Sequence, residues 1–252
     1  MSNLSHAIRR FNRFELKYIL TIREAERIKT ALRAYLVPDN HGNGSYSLNS
    51  LYYDSPDMRF FWEKMDGVRY RRKLRIRQYD EGLPLRSNST VFVEIKQRID
   101  RVTQKRRVPL LYEEALRFCN HRQRPAGEAQ DQSVLDEIEV MLWQYNLHPV
   151  SVVHYQRQAL IGTNYDLGLR VTFDTALGYS TANLNLDEEP SPLPMLPPDR
   201  VIMEIKVNER IPYWLTELVA AHNLVLVRVS KYCRSIELAQ NFRSALWLMD
   251  SI

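Results

Sequence analysis

Arg69-Tyr70-Arg71-Arg72-Lys73-Leu74-Arg75-Ile76-Arg77 alternates basic and apolar residues along most of its length. In an extended strand, successive side chains point to opposite faces. Arg69, Arg71, Lys73, Arg75 and Arg77 then share one face, and Tyr70, Leu74 and Ile76 share the other. Like charges side by side repel one another and do not stabilise a sheet. The row makes sense when something strongly anionic lies along it.

The pattern recurs. Arg13 to Ile19 alternates, with Glu15 and Lys17 on one face and Phe14, Leu16 and Tyr18 on the other. Glu94 and Lys96 oppose Val91, Val93 and Ile95, and Glu204 and Lys206 oppose Val201, Met203 and Ile205. Arg157 lies on the face away from His154 and Leu160. Arg170 shares a face with Thr172 and Asp174, opposite Leu169, Val171 and Phe173. An antiparallel sheet with one solvated face accounts for any one of these strands. Taken together, their charged faces are mainly Arg and Lys with a few Glu, and each opposite face is bulky, apolar and in need of cover.

Helices can supply that cover. Thr21-Ile22-Arg23-Glu24 is a capping box opening a helix over 22–36, with Ala25, Ile28, Leu32 and Leu36 as its apolar stripe. Ser55-Pro56 reads as an N-cap and first helical residue of a short helix to Met65. Helical spacing also marks 111–121, 133–146, Pro212 to His222, and a last helix capped by Ser230 with Ile236, Ala239 and Leu246 on its stripe. Further strands are expected at 47–53, 103–108, 150–160, 167–175, 200–207 and 224–229. The five prolines between Asp187 and Asp199 predict a loop outside any sheet. With helices outside, the charged faces point inward. The expected fold is α+β: a closed antiparallel β-barrel tunnel with a charged lumen, surrounded by helices, as a single domain over residues 1–252.

An empty basic lumen is costly, because buried like charges lack partners, and a threaded polyanion supplies them. Arg suits forked phosphate recognition and Lys suits point-charge contact. Glu15, Glu94 and Glu204 fit two readings. Each can simply pair with a neighbouring Arg or Lys. If the three converge, they suit Mn2+ or Mg2+, which take hard oxygen ligands and share them with substrate phosphates.

Composition agrees with these limits. The 252 residues are 44% hydrophobic and 26% charged, with a net charge of +5, as in a globular protein with a mild bias toward anionic partners. No apolar run is long enough to span a membrane, and the first residues do not read as a secretory leader. Cys119 and Cys233 have no zinc or disulfide spacing. A cytoplasmic location is expected. No nucleic-acid-binding signature accompanies the basic strands.

The chain resembles the polyphosphate polymerase (VTC) domain family, a branch of the triphosphate tunnel metalloenzymes with CYTH-like folds. The stretches that carry the resemblance are Phe14-Glu15-Leu16-Lys17-Tyr18, Leu51-Tyr52-Tyr53-Asp54, Leu74-Arg75-Ile76-Arg77, Glu94-Ile95-Lys96, Tyr155-Gln156-Arg157, Leu169 to Asp174, Met203-Glu204-Ile205-Lys206 and Ser230-Lys231-Tyr232. Each is weak alone; their order is specific. The resemblance implies transfer of the γ-phosphate of ATP to a growing inorganic polyphosphate chain, with Mn2+ or Mg2+. It implies that Lys17, Arg75, Arg77, Lys96, Arg157, Arg170 and Lys231 line the tunnel and bind phosphate. Glu204 is then the metal ligand and Ser230 a phosphate contact at a helix start. Arg228, Lys105 and Lys206 match more loosely.

Arg13 stands where hydrolytic tunnel enzymes carry the first acid of an E-x-E-x-K motif, which favours the polymerase branch. The fungal relatives' SPX domain and membrane segments have no counterpart here, so a free-standing catalytic unit is expected, with a membrane-protein partner left open. A tripolyphosphate or nucleoside triphosphate hydrolase on the same fold, and a non-catalytic polyphosphate-binding module, are the alternatives.

Overall fold

The basic row falls on β4 (Tyr70–Asp80), inside an antiparallel sheet of ten strands. The computed structural model describes residues 11–39, 44–80, 84–100, 102–163, 166–188, 192–208 and 210–240. The other strands are β1 (Phe11–Thr21), β2 (Leu36–Pro38), β3 (Ser45–Asp54), β5 (Thr90–Ile99), β6 (Val102–Leu111), β7 (His148–Gly162), β8 (Arg170–Ser180), β9 (Leu193–Pro194) and β10 (Arg200–Val207). Their order is β2-β7-β3-β4-β5-β6-β1-β10-β8-β9, and β7 pairs with β8 as well. The helices are α1 (Ile22–Leu32), α2 (Arg59–Met65), α3 (Tyr112–His121), α4 (Gln132–Gln144), α5 (Tyr213–Ala221) and α6 (Lys231–Ala239).

Alternation puts the apolar residues of β4, β5, β8 and β10 under the helices. Leu74 and Ile76 are fully buried among Val91, Val93, Ile95 and Val108, beneath Phe118 of α3 and Leu135 and Ile138 of α4. Tyr18, Val171, Met203 and Ile205 pack under Ala25, Ile28 and Leu32 of α1 and Leu215 of α5. The capping box of α1 forms as expected: Glu24 N donates to Thr21 Oγ1, and Thr21 N donates to the Glu24 carboxylate. A third cluster lies on the inner side of the sheet. There Tyr232, Cys233 and Ile236 of α6, with Phe61 of α2, pack against Tyr52, Val153 and Ile202. Ser235 and Ser151 share a hydrogen bond of 2.7 Å there. Part of the inner face is thus apolar and is filled by α6.

Four expected boundaries differ. Helix α1 ends at Leu32, and Leu36 belongs to β2, paired with Gly162. Its apolar side chain satisfies either period, and the free edge of β7 decides. Helix α2 begins at Arg59 rather than behind Ser55-Pro56, because residues 55–58 form a turn closed by Met58 N and Ser55 O. The free N–H groups of Phe60 and Phe61 are taken by the buried Asp54 carboxylate, which also accepts from Ser55 N and the Tyr232 hydroxyl. Leu193-Pro194 does join the sheet: β10 reaches only Asp174 of β8, leaving the edge at Gly178 and Tyr179 open to a two-residue strand. Proline is tolerated at such an edge. Residues 224–229 form no strand. They cross β1 with Val227 N donating to Lys17 O, beyond the Arg13–Thr103 pair where the described β1–β6 pairing stops. Leu246 lies outside the described residues.

Candidate functional site

The inner faces enclose a cavity of about 1320 Å3. Strand register builds its first wall. Across β4, β5 and β6, Arg71 faces Arg98 and then Thr103, Lys73 faces Lys96 and then Lys105, and Arg75 faces Glu94 and then Arg107. Glu94 is fully buried. Its carboxylate accepts from Arg75 Nε at 2.9 Å and from Lys105 Nζ at 2.9 Å, and lies 3.9 Å from both Arg77 and Arg107. Burial pushes this carboxyl up, but the surrounding Lys105, Arg75 and Arg77 outweigh it and hold Glu94 well below the usual carboxylate range. Tyrosine hydroxyls accept from the same arginines: Tyr52 from Arg75 at 2.9 Å and Tyr155 from Arg77 at 3.0 Å. Burial raises the Tyr52 phenol, yet Arg75, Arg77 and Lys73 bring it down to about 8.

The second wall comes from β1, β10, β8 and β7. Lys17 faces Glu204, Glu15 faces Lys206, Lys206 faces Arg170, and Arg157 faces Asp174. Glu204 meets Lys206 at 2.6 Å, Lys231 at 3.0 Å and Lys17 at 3.2 Å. Burial opposes its charge, and Lys17, Lys206 and Lys231 overcome that to keep it well below its ordinary value. Burial drives Lys206 down to about 7 despite Glu204, with Arg157 adding to the fall. Glu15 pairs with Lys96 at 2.7 Å; burial is outweighed by Lys96 and Lys17, and Glu15 drops to about 2. Burial lowers Lys96 to about 8, more than Glu15 raises it. Asp174 holds Arg157 through two hydrogen bonds, at 2.6 and 2.7 Å, and reaches Lys231 at 2.6 Å. Arg170 reaches Asp39 at 2.6 Å and the Tyr46 hydroxyl at 2.8 Å.

Helix α6 brings its first turn to this cavity. Ser230 is the N-cap, its Oγ accepting from Cys233 N at 3.2 Å and from Lys73 Nζ at 2.5 Å. Free N–H groups and the positive end of a helix favour anions at such a place.

Every expected site residue except Glu94 lines the cavity: Lys17, Arg75, Arg77, Lys96, Lys105, Arg157, Arg170, Glu15, Glu204, Lys206, Arg228, Ser230 and Lys231. Glu94 lies beneath them, under Arg75 and Lys105. Of the two readings of the glutamates, the structure has the ion pairs and not the convergence of three carboxylates. Among the described residues, no three of His, Cys, Asp and Glu stand together to share a metal. Glu15, Glu94 and Glu204 are instead distributed, each neutralising its own lysines and arginines. This donor set does not fit a metal held by protein ligands alone.

The sequence puts Lys73 on the charged face with no motif to support it, names Tyr52 and Tyr155 only within matching stretches and Asp174 there and on the face of Arg170, and gives Arg107 no role. The signal for Lys73 and Arg107 was strand parity with Arg75 and Lys105. The signal for Asp174 was its shared face with Arg170. The side chain of Arg13 lies outside the described residues.

The cavity lining counts seventeen lysines and arginines against three carboxylates among the described residues. Solved structures share this fold. One is a Bacillus halodurans protein named as a candidate adenylate cyclase, with 15% identity, a TM-score of 0.53, and coverage of 94% of this chain and 100% of that one. Another is HpAC1 from Hippeastrum, named as a candidate adenylyl cyclase with a dominant triphosphatase activity, with 12% identity, a TM-score of 0.51, and coverage of 94% and 98%. A search of curated proteins finds no match. The VTC domain matches residues 12–240. With that match spanning nearly all of the described sheet and both walls of the cavity, the chain belongs to the VTC domain family.

Proposed function

We propose that this protein is a polyphosphate polymerase, moving the γ-phosphate of ATP onto the end of an inorganic polyphosphate chain inside the sheet. The carrying observation is the excess of lysine and arginine around one cavity, which a condensed phosphate chain matches in charge and shape. The β7–β8 pairing supports reading the sheet as a barrel that closes around the substrate. Arg75, Arg77, Arg157 and Arg170 hold phosphate oxygens in fixed forks, and Lys17, Lys96, Lys206 and Lys231 supply movable point charges. The attacking group is a terminal phosphate oxygen, already ionised, so no protein base is needed. Glu94 and Glu204 are held ionised by their cationic neighbours and are poor bases, which agrees with this route. Positioning and electrostatic stabilisation carry the rate.

Glu204 would offer one hard oxygen ligand to a metal carried in with the triphosphate, which would supply neutralisation of phosphate charge.

A triphosphate hydrolase is the second reading. The same ring of cations would hold a triphosphate for attack by water as well as by a phosphate oxygen. Incubation with ATP and Mn2+, followed by separation of products on a gel, decides between them. A ladder of long chains supports the polymerase, and orthophosphate alone overturns it in favour of the hydrolase.

A further inference from the structure

Two groups stand out among the cations around the cavity. The deep ones are neutralised by buried carboxylates: Arg75 and Lys105 by Glu94, Arg157 and Lys231 by Asp174, Lys17 and Lys206 by Glu204, and Lys96 by Glu15. The second group is Lys64, Arg69, Arg71, Lys73, Arg98 and Arg228, all lining the same cavity. Among the described residues, Lys64, Arg71, Lys73, Arg98 and Arg228 have no salt bridge, and Arg69 has only a long contact of 3.8 Å to Asp100.

These six sit at one opening. Strand β4 shows the gradient. Arg69, just before it, is exposed, Arg71 and Lys73 are half-buried, and Arg75 and Arg77 are buried. At ~3.3 Å per residue, that row runs roughly 26 Å from solvent to the interior. Arg71 and Arg98 stand directly opposite each other on adjacent strands, an arrangement that costs stability when unoccupied. Lys64 comes from α2 and Arg228 from the segment leading into α6, so four different elements aim cations at the same opening. Burial, with Lys73 and Arg71 adding to it, lowers Lys64 to about 8. The one carboxylate lining this end, Asp100, reaches only Arg69, at 3.8 Å, so the charge here is far less balanced than in the interior.

We propose that this opening is a separate binding site for the distal part of a phosphate chain whose end occupies the deep cavity. The inference rests on the polyphosphate reading and deepens it: the deep cations take a triphosphate or a chain end, and the opening grips only chains long enough to emerge. Its consequence is retention of long chains between additions.

The test is binding to the whole protein, with no need for turnover. Arg71→Gln/Arg98→Gln is compared with the unaltered protein against tripolyphosphate and against long-chain polyphosphate, over a salt series. Long-chain affinity is expected to fall about tenfold with a shallower salt dependence, because fewer counterions are released, while tripolyphosphate affinity stays within about twofold. Arg71→Lys/Arg98→Lys keeps the charge and should restore most of the long-chain affinity. A thermal melt checks that both variants fold. Equal losses for both ligands, or no loss for the long chain, overturn the proposal. So does a single-stranded RNA that binds as tightly as polyphosphate and is lost in parallel. If the unaltered protein makes only orthophosphate from ATP while the opening still discriminates by length, the polymerase reading fails and this one stands.

Discussion

Lys17 on β1 and Glu204 on β10 stand directly opposite one another, with Lys17 Nζ 3.2 Å from Glu204 Oε1. The same carboxylate receives Lys206 and Lys231. One acid therefore fixes three ammonium groups that would otherwise repel. In the proposed reaction it is also the available oxygen ligand for a metal brought by the substrate. Glu204→Gln should lower metal-dependent turnover by about a hundredfold or more. Tripolyphosphate affinity should change little, because phosphate replaces the lost charge. Steady-state assays with Mn2+ and calorimetric titration measure the two separately. Full activity in this variant would remove Glu204 from the mechanism.

Glu94 has a different weight. It has no solvent exposure and serves Arg75 and Lys105 directly, with Arg77 and Arg107 just beyond. Removing one partner from a buried charge network costs ~3–5 kcal/mol. Glu94→Gln should therefore lower the melting temperature markedly, and tripolyphosphate should recover part of the loss by supplying negative charge to the same arginines. A variant as stable as the original protein would mean that Glu94 carries little of the load.

Lys206 and Lys96 lie at about 7 and about 8, below the ordinary lysine value. The unfolded chain keeps both protonated to ~10.4. Between about pH 7 and that value the unfolded state binds more protons, so these two groups make the ligand-free fold more stable as pH rises across the window. Binding runs the other way. A polyanion favours the ammonium forms, so tripolyphosphate affinity should weaken as pH climbs through 7 to 8, with proton uptake on binding. Calorimetry in buffers of different ionisation enthalpy reads the uptake. Lys206→Arg should reduce it, and unchanged uptake would assign the protons elsewhere.

What the sequence revealed, and what it did not, follows from period and distance. A strand has period two, so Arg75 inward and Leu74 outward were fixed once the strand was assigned, and the same holds for Lys17, Lys96, Glu204 and Arg170. The destination of each carboxylate was not legible, because it depends on cross-strand register: Glu94 meets Arg75 and Arg107 only because β4, β5 and β6 align as they do. Residues 224–229 are apolar enough for a strand, but they meet β1 through one backbone bond. Leu36 suits helix and strand equally, and only a partner far along the chain chose. The apolar inner face under α6 was hidden for the same reason, since no local pattern says which end of a sheet a helix will fill.

Ser230 joins stability and binding in one hydroxyl. Its Oγ accepts from Cys233 N to cap α6 and from Lys73. Ser230→Ala should cost ~1 kcal/mol of stability from the cap and also weaken phosphate binding. Ser230→Asp keeps a capping oxygen but places a negative charge beside Lys73, so it should preserve the melting temperature while weakening tripolyphosphate binding further. Equal affinity in the two variants would separate Ser230 from the ligand.

Asp54 is buried outside the cavity lining. Its carboxylate holds the start of α2 through Phe60 and Phe61 and grips α6 through the Tyr232 hydroxyl. Lys64 rides on the first helix, and Ser230 and Lys231 open the second. Two flanks of one doorway therefore share a single hinge pin on β3. Loosening it, as in Asp54→Asn, should let α2 and α6 exchange their amide hydrogens together, ahead of the strands. The opening would then widen while the sheet behind it remained intact.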